Sequence, residues 1–137
     1  NLVHEFMENI IHEKDLPFVL EDIKNHSTLI SEEKNYLKNI LNGIVYHKEL
    51  NHFFNTTDKI EVERKIITGK GNVLIPDRLN INKSDSITVI DYKTGVFHPK
   101  HESQINSYES ALIEMGYTIS EKILIYSSMD GITLKKV

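Results

Sequence analysis

The chain has 137 residues, 16 Lys and Arg against 20 Asp and Glu, a formal net charge of -4 and no cysteine. Its length fits one domain with a real core, and the missing cysteines exclude disulfides, thiolate zinc sites, cysteine nucleophiles and a cysteine-ligated iron–sulfur cluster, which fits a reducing cytoplasm. No run approaches a membrane span and the start does not read as a signal peptide; with an acidic balance, any nucleic-acid contact must use a local patch or a bound cation.

From Leu2 to about Glu13 the apolar residues Leu2, Val3, Phe6, Met7, Ile10 and Ile11 form a helical stripe. His4 falls at its rim beside Met7 and Ile11, either a half-buried surface histidine or one that looks into a cleft. Asp15 and Pro17 mark a break and a new helix start, and Phe18 to Lys24 is a short helix ended by Asn25-His26-Ser27. Ser31 reads as an N-cap with Glu32 and Glu33 in the first turn. The stripe Tyr36, Leu37, Ile40, Leu41, Ile44, Val45 carries that helix to about His47, with Gly43 as a weak point. A turn from Glu49 to Phe54 closes a helical part covering residues 1–57. His12, His26, His47 and His52 have no spacing that suggests a metal.

At Lys59 the period changes to two. Lys59 to Thr68 reads as a strand, Gly69-Lys70-Gly71-Asn72 as a hairpin turn, and Asn72 to Ile81 as the next strand, interrupted by Pro76. Asn82 to Asp85 is a second turn. It leads into the buried strand Ile87 to Ile90, which ends in Asp91-Tyr92-Lys93-Thr94-Gly95. A loop, Val96 to Lys100, precedes a helix from about His101 to Met115, ended by Gly116. Lys122 to Ser128 and Ile132 to Val137 are two further strands around Met129-Asp130-Gly131. The expectation is an α/β chain: a central mixed sheet, built from a three-stranded antiparallel meander plus two C-terminal strands, flanked by helices. The abrupt start inside a helical pattern suggests a domain taken from a larger protein.

Chemistry concentrates around Asp91. Side chains alternate along a strand, so Asp91 and Lys93 point to one side, about 7 Å apart along the chain. Asp77 lies on the neighbouring strand of the meander. Two carboxylates about 4 Å apart repel by roughly 4 kcal/mol at an effective dielectric of about 20. A magnesium or manganese ion reverses the sign of that term. Glu61 or Glu63 could complete the acidic cluster. Gln104 and Tyr108 are four apart on one helix face. His98, Lys100 and His101 are either phosphate contacts or an exposed polar loop.

These pieces, in this order, resemble the RecB/AddA-type nuclease domain of the PD-(D/E)XK superfamily, which has a restriction-endonuclease-like fold. The matching stretches are Leu2-Val3-His4, Glu61-Val62-Glu63, Pro76-Asp77-Arg78, Asp91-Tyr92-Lys93-Thr94-Gly95 and Gln104 to Tyr108. They span nearly the whole chain. The family's glycine before the histidine would lie ahead of Asn1. The resemblance implies that His4, Asp77, Asp91 and the backbone carbonyl of Tyr92 ligate Mg2+, for which Mn2+ can substitute. It makes Lys93 the catalytic lysine and Glu63, followed by Arg-Lys-Ile-Ile, the first acidic residue. Gln104 and Tyr108 would support the site and the DNA strand, Tyr108 by stacking on a base or else as a core aromatic. Arg78 would be a phosphate contact or a salt-bridge partner.

The activity implied is magnesium-dependent hydrolysis of single-stranded DNA, as the exonuclease module at the C-terminal end of a UvrD/RecB-like helicase–nuclease in break repair. Its partners would be DNA and a helicase domain, with no membrane, in the cytoplasm. Two other readings share the residues: a catalytically inactive DNA-binding or scaffold domain, and a stand-alone recombination or restriction nuclease.

Overall fold

A computed structural model describes residues Asn1–Val137. The chain divides into two compact units, Asn1–Thr56 with Ser127–Ile132, and Thr57–Tyr126 with Thr133–Val137. The helical part expected over residues 1–57 therefore also takes in the tip of the last β-hairpin.

In the first unit, α1 spans only Leu2–Met7. The helix expected to reach Glu13 stops early because the Asp15 carboxylate accepts the amides of Ile11 and His12 at 3.1 and 2.9 Å. Such local side-chain bonds offer the backbone an alternative to the helical ladder. A 3-10 turn, Glu13–Asp15, leads into α2, Leu16–Lys24, with Pro17 in its first turn, where a missing N–H is harmless. The next helix, α3, runs Ser31–Val45, and Ile30 rather than Ser31 holds the N-cap position. Glu33 Oε1 accepts the Ile30 amide at 3.1 Å, the backward half of a capping box. Gly43 stays helical; a Cβ there would stand 3.2 Å from Ile132 Cγ1 on the hairpin tip, so a close approach accounts for the glycine.

The second unit is built on a mixed five-stranded sheet of order β1-β4-β5-β6-β7. Its strands are β1 Lys59–Val62, β4 Arg78–Ile81, β5 Ser86–Thr94, β6 Thr118–Ser128 and β7 Gly131–Lys136. The meander is present as β1-β4-β5, both pairs antiparallel. Its first hairpin differs from expectation. The long strand from Lys59 breaks at Glu63, whose φ of 51° lies in the left-handed region. The strand from Asn72 breaks at Ile75 to Asp77, around Pro76. The chain between these breaks forms a separate two-stranded ladder, β2 Ile66–Ile67 with β3 Val73–Leu74.

After β5, Gly95 turns at φ 81° and α4, Pro99–Glu114, crosses over to β6. The helix starts two residues ahead of expectation because Pro99 suits the first turn and His98 Nδ1 caps the Lys100 amide at 3.0 Å. β6 runs parallel to β5: Thr118 N bonds Asp85 O, and Ser120 Oγ bonds Ile87 O, so both strands advance together. The same contacts begin β6 at Thr118 rather than Lys122. α4 covers one sheet face through a core of Leu79, Ile81, Ile87, Val89, Ile105, Tyr108, Leu112, Leu124 and Tyr126. No helix is long and apolar enough to cross a membrane.

Candidate active site

The sheet register builds the site. Val62 pairs with Arg78, and Arg78 pairs with Ile90. One step further along both ladders, Glu63 stands opposite Asp77 and Asp77 opposite Asp91. Directly opposed residues share a face, so three carboxylates form one row across β1, β4 and β5. The Glu63 amide donates to Asp77 O at 3.1 Å, which continues the ladder at that level. Carboxylate oxygens of Glu63 and Asp77 lie within 4.8 Å of one another.

Backbone amides lock the inner pair. The Asp77 amide donates to Asp91 Oδ1 at 3.1 Å, and the Tyr92 amide donates to Asp77 Oδ2 at 2.8 Å. Both side chains are buried, Asp91 to 1% exposure and Asp77 to 8%. Burial first, then the charge of Asp77, pushes the Asp91 carboxyl up from 3.8 to about 7, against the opposing pull of the Asp77 amide and Lys93. A desolvated carboxyl beside a second acid disfavours its own ionised form, as Asp91 does.

Lys93 answers part of that charge. Alternation puts it on the Asp91 side of β5, and its Nζ stands 3.4 Å from Asp91 Oδ2. It also donates to Gln104 Oε1 at 2.5 Å. Gln104 in turn hydrogen-bonds Tyr108, one turn further along α4. The chain of contacts Asp91–Lys93–Gln104–Tyr108 therefore fixes the ammonium from two sides.

Several expected residues stand elsewhere or act differently. Glu61 is held by Arg64 and by Lys59, the latter at 3.3 Å, whereas Glu63 is in the acidic row. Tyr108 is 4% exposed and packed in the α4 core, so its ring cannot stack on a base here; only its hydroxyl reaches the site. Arg78 is wholly buried, and its Nε donates to Asn80 Oδ1 at 2.9 Å. It lies on the face of β4 opposite to Asp77, so it is not a surface phosphate contact. His101 Nδ1 sits 2.8 Å from the Tyr126 hydroxyl, and burial with the nearby Lys93 charge lowers its pKa. His4, by contrast, keeps its expected place, half-buried at the rim of α1. The Tyr92 hydroxyl is buried without a hydrogen-bond partner and its pKa is raised by burial.

Two features had no sequence signal: the left-handed conformation of Glu63 and the two amide-to-carboxylate bonds. The second could have been approached from register alone, since the meander puts Asp77 and Asp91 at the same level.

The donor set suits a hard divalent cation. It offers carboxylate oxygens only on this unit, at least two of them within reach of one ion, in a place where a carboxylate resists ionising. No family model matches the chain. None of the curated proteins matches it either. Among solved structures it is similar to the crystal structure of SSO0001, at 20% identity over 89% of this chain and 74% of that chain, with a TM-score of 0.38.

Proposed function

We propose that the chain is a magnesium-dependent deoxyribonuclease with a restriction-endonuclease-like fold, acting on single-stranded DNA as the exonuclease module of a RecB/AddA-type helicase–nuclease. The observation that carries this reading is the row Glu63–Asp77–Asp91 with the Lys93 ammonium 3.4 Å from Asp91. A structural salt bridge needs one carboxylate per cation; three carboxylates in a row with one lysine call for further positive charge. Asp77, Asp91 and Glu63 would hold Mg2+ or Mn2+, joined, on the resemblance, by His4 and the carbonyl of Tyr92. When bound, the ion supplies Lewis acidity toward the phosphate and the attacking water.

The protein's own part is positioning and charge. The Asp77 and Tyr92 amides hold the two carboxylates in fixed orientations. Lys93 orients the attacking water and offsets the charge that builds on the phosphate oxygens. Gln104 keeps the flexible lysine stem in one conformation, and Tyr108 keeps Gln104 in place. The direct test incubates the chain with end-labelled single-stranded DNA and Mg2+ or Mn2+. Cleavage is expected, and it is expected to vanish in Asp91→Ala and to fall about 10²–10⁴-fold in Lys93→Ala. Cleavage that persists unchanged in both variants sinks the assignment. Calorimetry with Mn2+ separates the inactive-scaffold reading, which expects no metal binding.

A further inference from the structure

Between β1 and β4, the first two strands of the meander, the chain leaves the main sheet as the β2–β3 hairpin. Its neck is the Glu63–Asp77 pair, joined by the Glu63 amide and Asp77 carbonyl at 3.1 Å. Ile66 and Leu74 are opposed in the ladder and pack inward, Ile66 at 4% exposure. Alternation turns the next pair outward. Ile67 and Val73 are opposed, 74% and 55% exposed, and Ile75 beyond them is 38% exposed. Ile67, Val73 and Ile75 thus leave an exposed apolar face on the hairpin.

Its charge is equally one-sided. Between the neck residues, 64–76, the chain carries Arg64, Lys65 and Lys70 and no carboxylate, in a protein of net charge -4. Arg64 is paired with Glu61, but Lys65 and Lys70 are exposed. Lys65 shares the outward face with Ile67, two residues on. A polyanion that also presents flat apolar groups matches both properties, and single-stranded nucleic acid is such a polyanion.

We propose that the outward face of the β2–β3 hairpin grips a single-stranded nucleic acid beside the acidic row, Lys65 and Lys70 on phosphates and Ile67 and Val73 against bases or sugars. The inference rests on the nuclease reading, which it extends by naming where the strand is held. The left-handed Glu63 backbone fits this placement. Non-glycine residues adopt it rarely, and such strain persists where surrounding structure enforces it; here it sends the chain out of β1 into the hairpin at the acid itself.

The test measures binding of a fluorescent single-stranded oligonucleotide by anisotropy in EDTA, across a salt series, with the full 137-residue chain. Lys65→Glu with Lys70→Glu should weaken binding more than tenfold and flatten the log–log salt slope by about 1.4, at about 0.7 per phosphate contact on a single strand. Ile67→Ser with Val73→Ser should weaken binding about threefold to tenfold and leave the slope unchanged. All four positions are exposed, and circular dichroism checks that each variant folds. Wild-type affinity and slope in both variants overturn the proposal, as does a wild type that binds no oligonucleotide. So does an aliphatic variant whose only change is loss of a dimer in sedimentation, which makes the face a contact between copies. Hydrolysis of bis(p-nitrophenyl) phosphate with Mn2+ reads the acidic row without any strand to grip. Its absence in wild type defeats the nuclease reading, while its persistence in variants that bind normally defeats only the hairpin.

Discussion

Asp91→Asn isolates the electrostatic cost of the acidic row. In the native chain the Asp91 carboxyl titrates near 7 against an ordinary 3.8, because it is buried and faces Asp77. Its folded value lies above its unfolded value, so between about pH 4 and 7 the folded state holds a proton that the unfolded state has released. Stability therefore falls as pH rises through that window and is flat above it. At 1.36 kcal/mol per pH unit, the rise from 3.8 to about 7 sets a ceiling of about 4 kcal/mol on the loss. Asparagine keeps an oxygen to accept the Asp77 amide and removes the charge. In EDTA at pH 8, urea unfolding should find the variant about 1–3 kcal/mol more stable than wild type, with the advantage gone at pH 4. Millimolar Mg2+ should then raise wild-type stability at pH 8 by RT ln(1 + c/Kd), where c is the free Mg2+ concentration, and leave the variant nearly unmoved. A wild type whose stability does not change between pH 4 and 8 in EDTA refutes the reasoning, and so does an asparagine variant that is less stable at pH 8.

Other substitutions separate neighbouring roles. Glu63→Gln should abolish or strongly reduce DNA cleavage while Glu61→Gln leaves it within about twofold, and only loses surface pairs worth under about 1 kcal/mol each; equal effects on activity would return the choice between them to open. Tyr108→Phe should fold normally and lose about 0.5–1.5 kcal/mol with its hydroxyl bond, whereas Tyr108→Ala should lose about 3–5 kcal/mol in thermal or urea unfolding. Gln104→Ala should lower the cleavage rate less than Lys93→Ala does, and adding it to Lys93→Ala should change little further, because the amide acts through the ammonium.

The meander was legible because its parts carry strong punctuation. Gly69 to Asn72 and Asn82 to Asp85 are turn sequences between runs of period two, and both turns exist in the fold. What could not be read was which strand each turn serves. Pro76 announces an interruption, but its counterpart is at Glu63, a residue type that gives no hint of positive φ. Without that second break the first hairpin looks like part of the main sheet. The α4 face was legible from the spacing of Gln104 and Tyr108, yet spacing does not say how deep a face is buried, and the Tyr108 ring lies in the core. Arg78 was expected, on the resemblance, as a phosphate contact or a salt-bridge partner. Period-two alternation already sends it away from Asp77, and its burial follows from that face of β4 being covered. The end of α1 escaped for a different reason. Asp15 stops the helix from outside it, through amides that the apolar stripe includes.

Charge balance connects the row to the ion proposed for it. Glu63, Asp77 and Asp91 carry three negative charges when all are ionised, and Lys93 returns one positive charge at 3.4 Å. Arg78 sits on the other face of the sheet and bonds Asn80, so it is not aimed at the row. The surplus of two negative charges is what a single divalent cation neutralises. Without one, a proton on Asp91 is the cheaper remedy, which is the direction in which burial drives that carboxyl. Proton and metal ion then compete for the same oxygens. Raising the pH from 6 to 8 should tighten Mn2+ binding to wild type, and it should do so much less in Asp91→Asn, where no proton has to leave. Titration calorimetry in two buffers of different ionisation heat counts the protons released. A count of zero at pH 6 would mean that Asp91 is already ionised there, and that the row is balanced by something other than the ion.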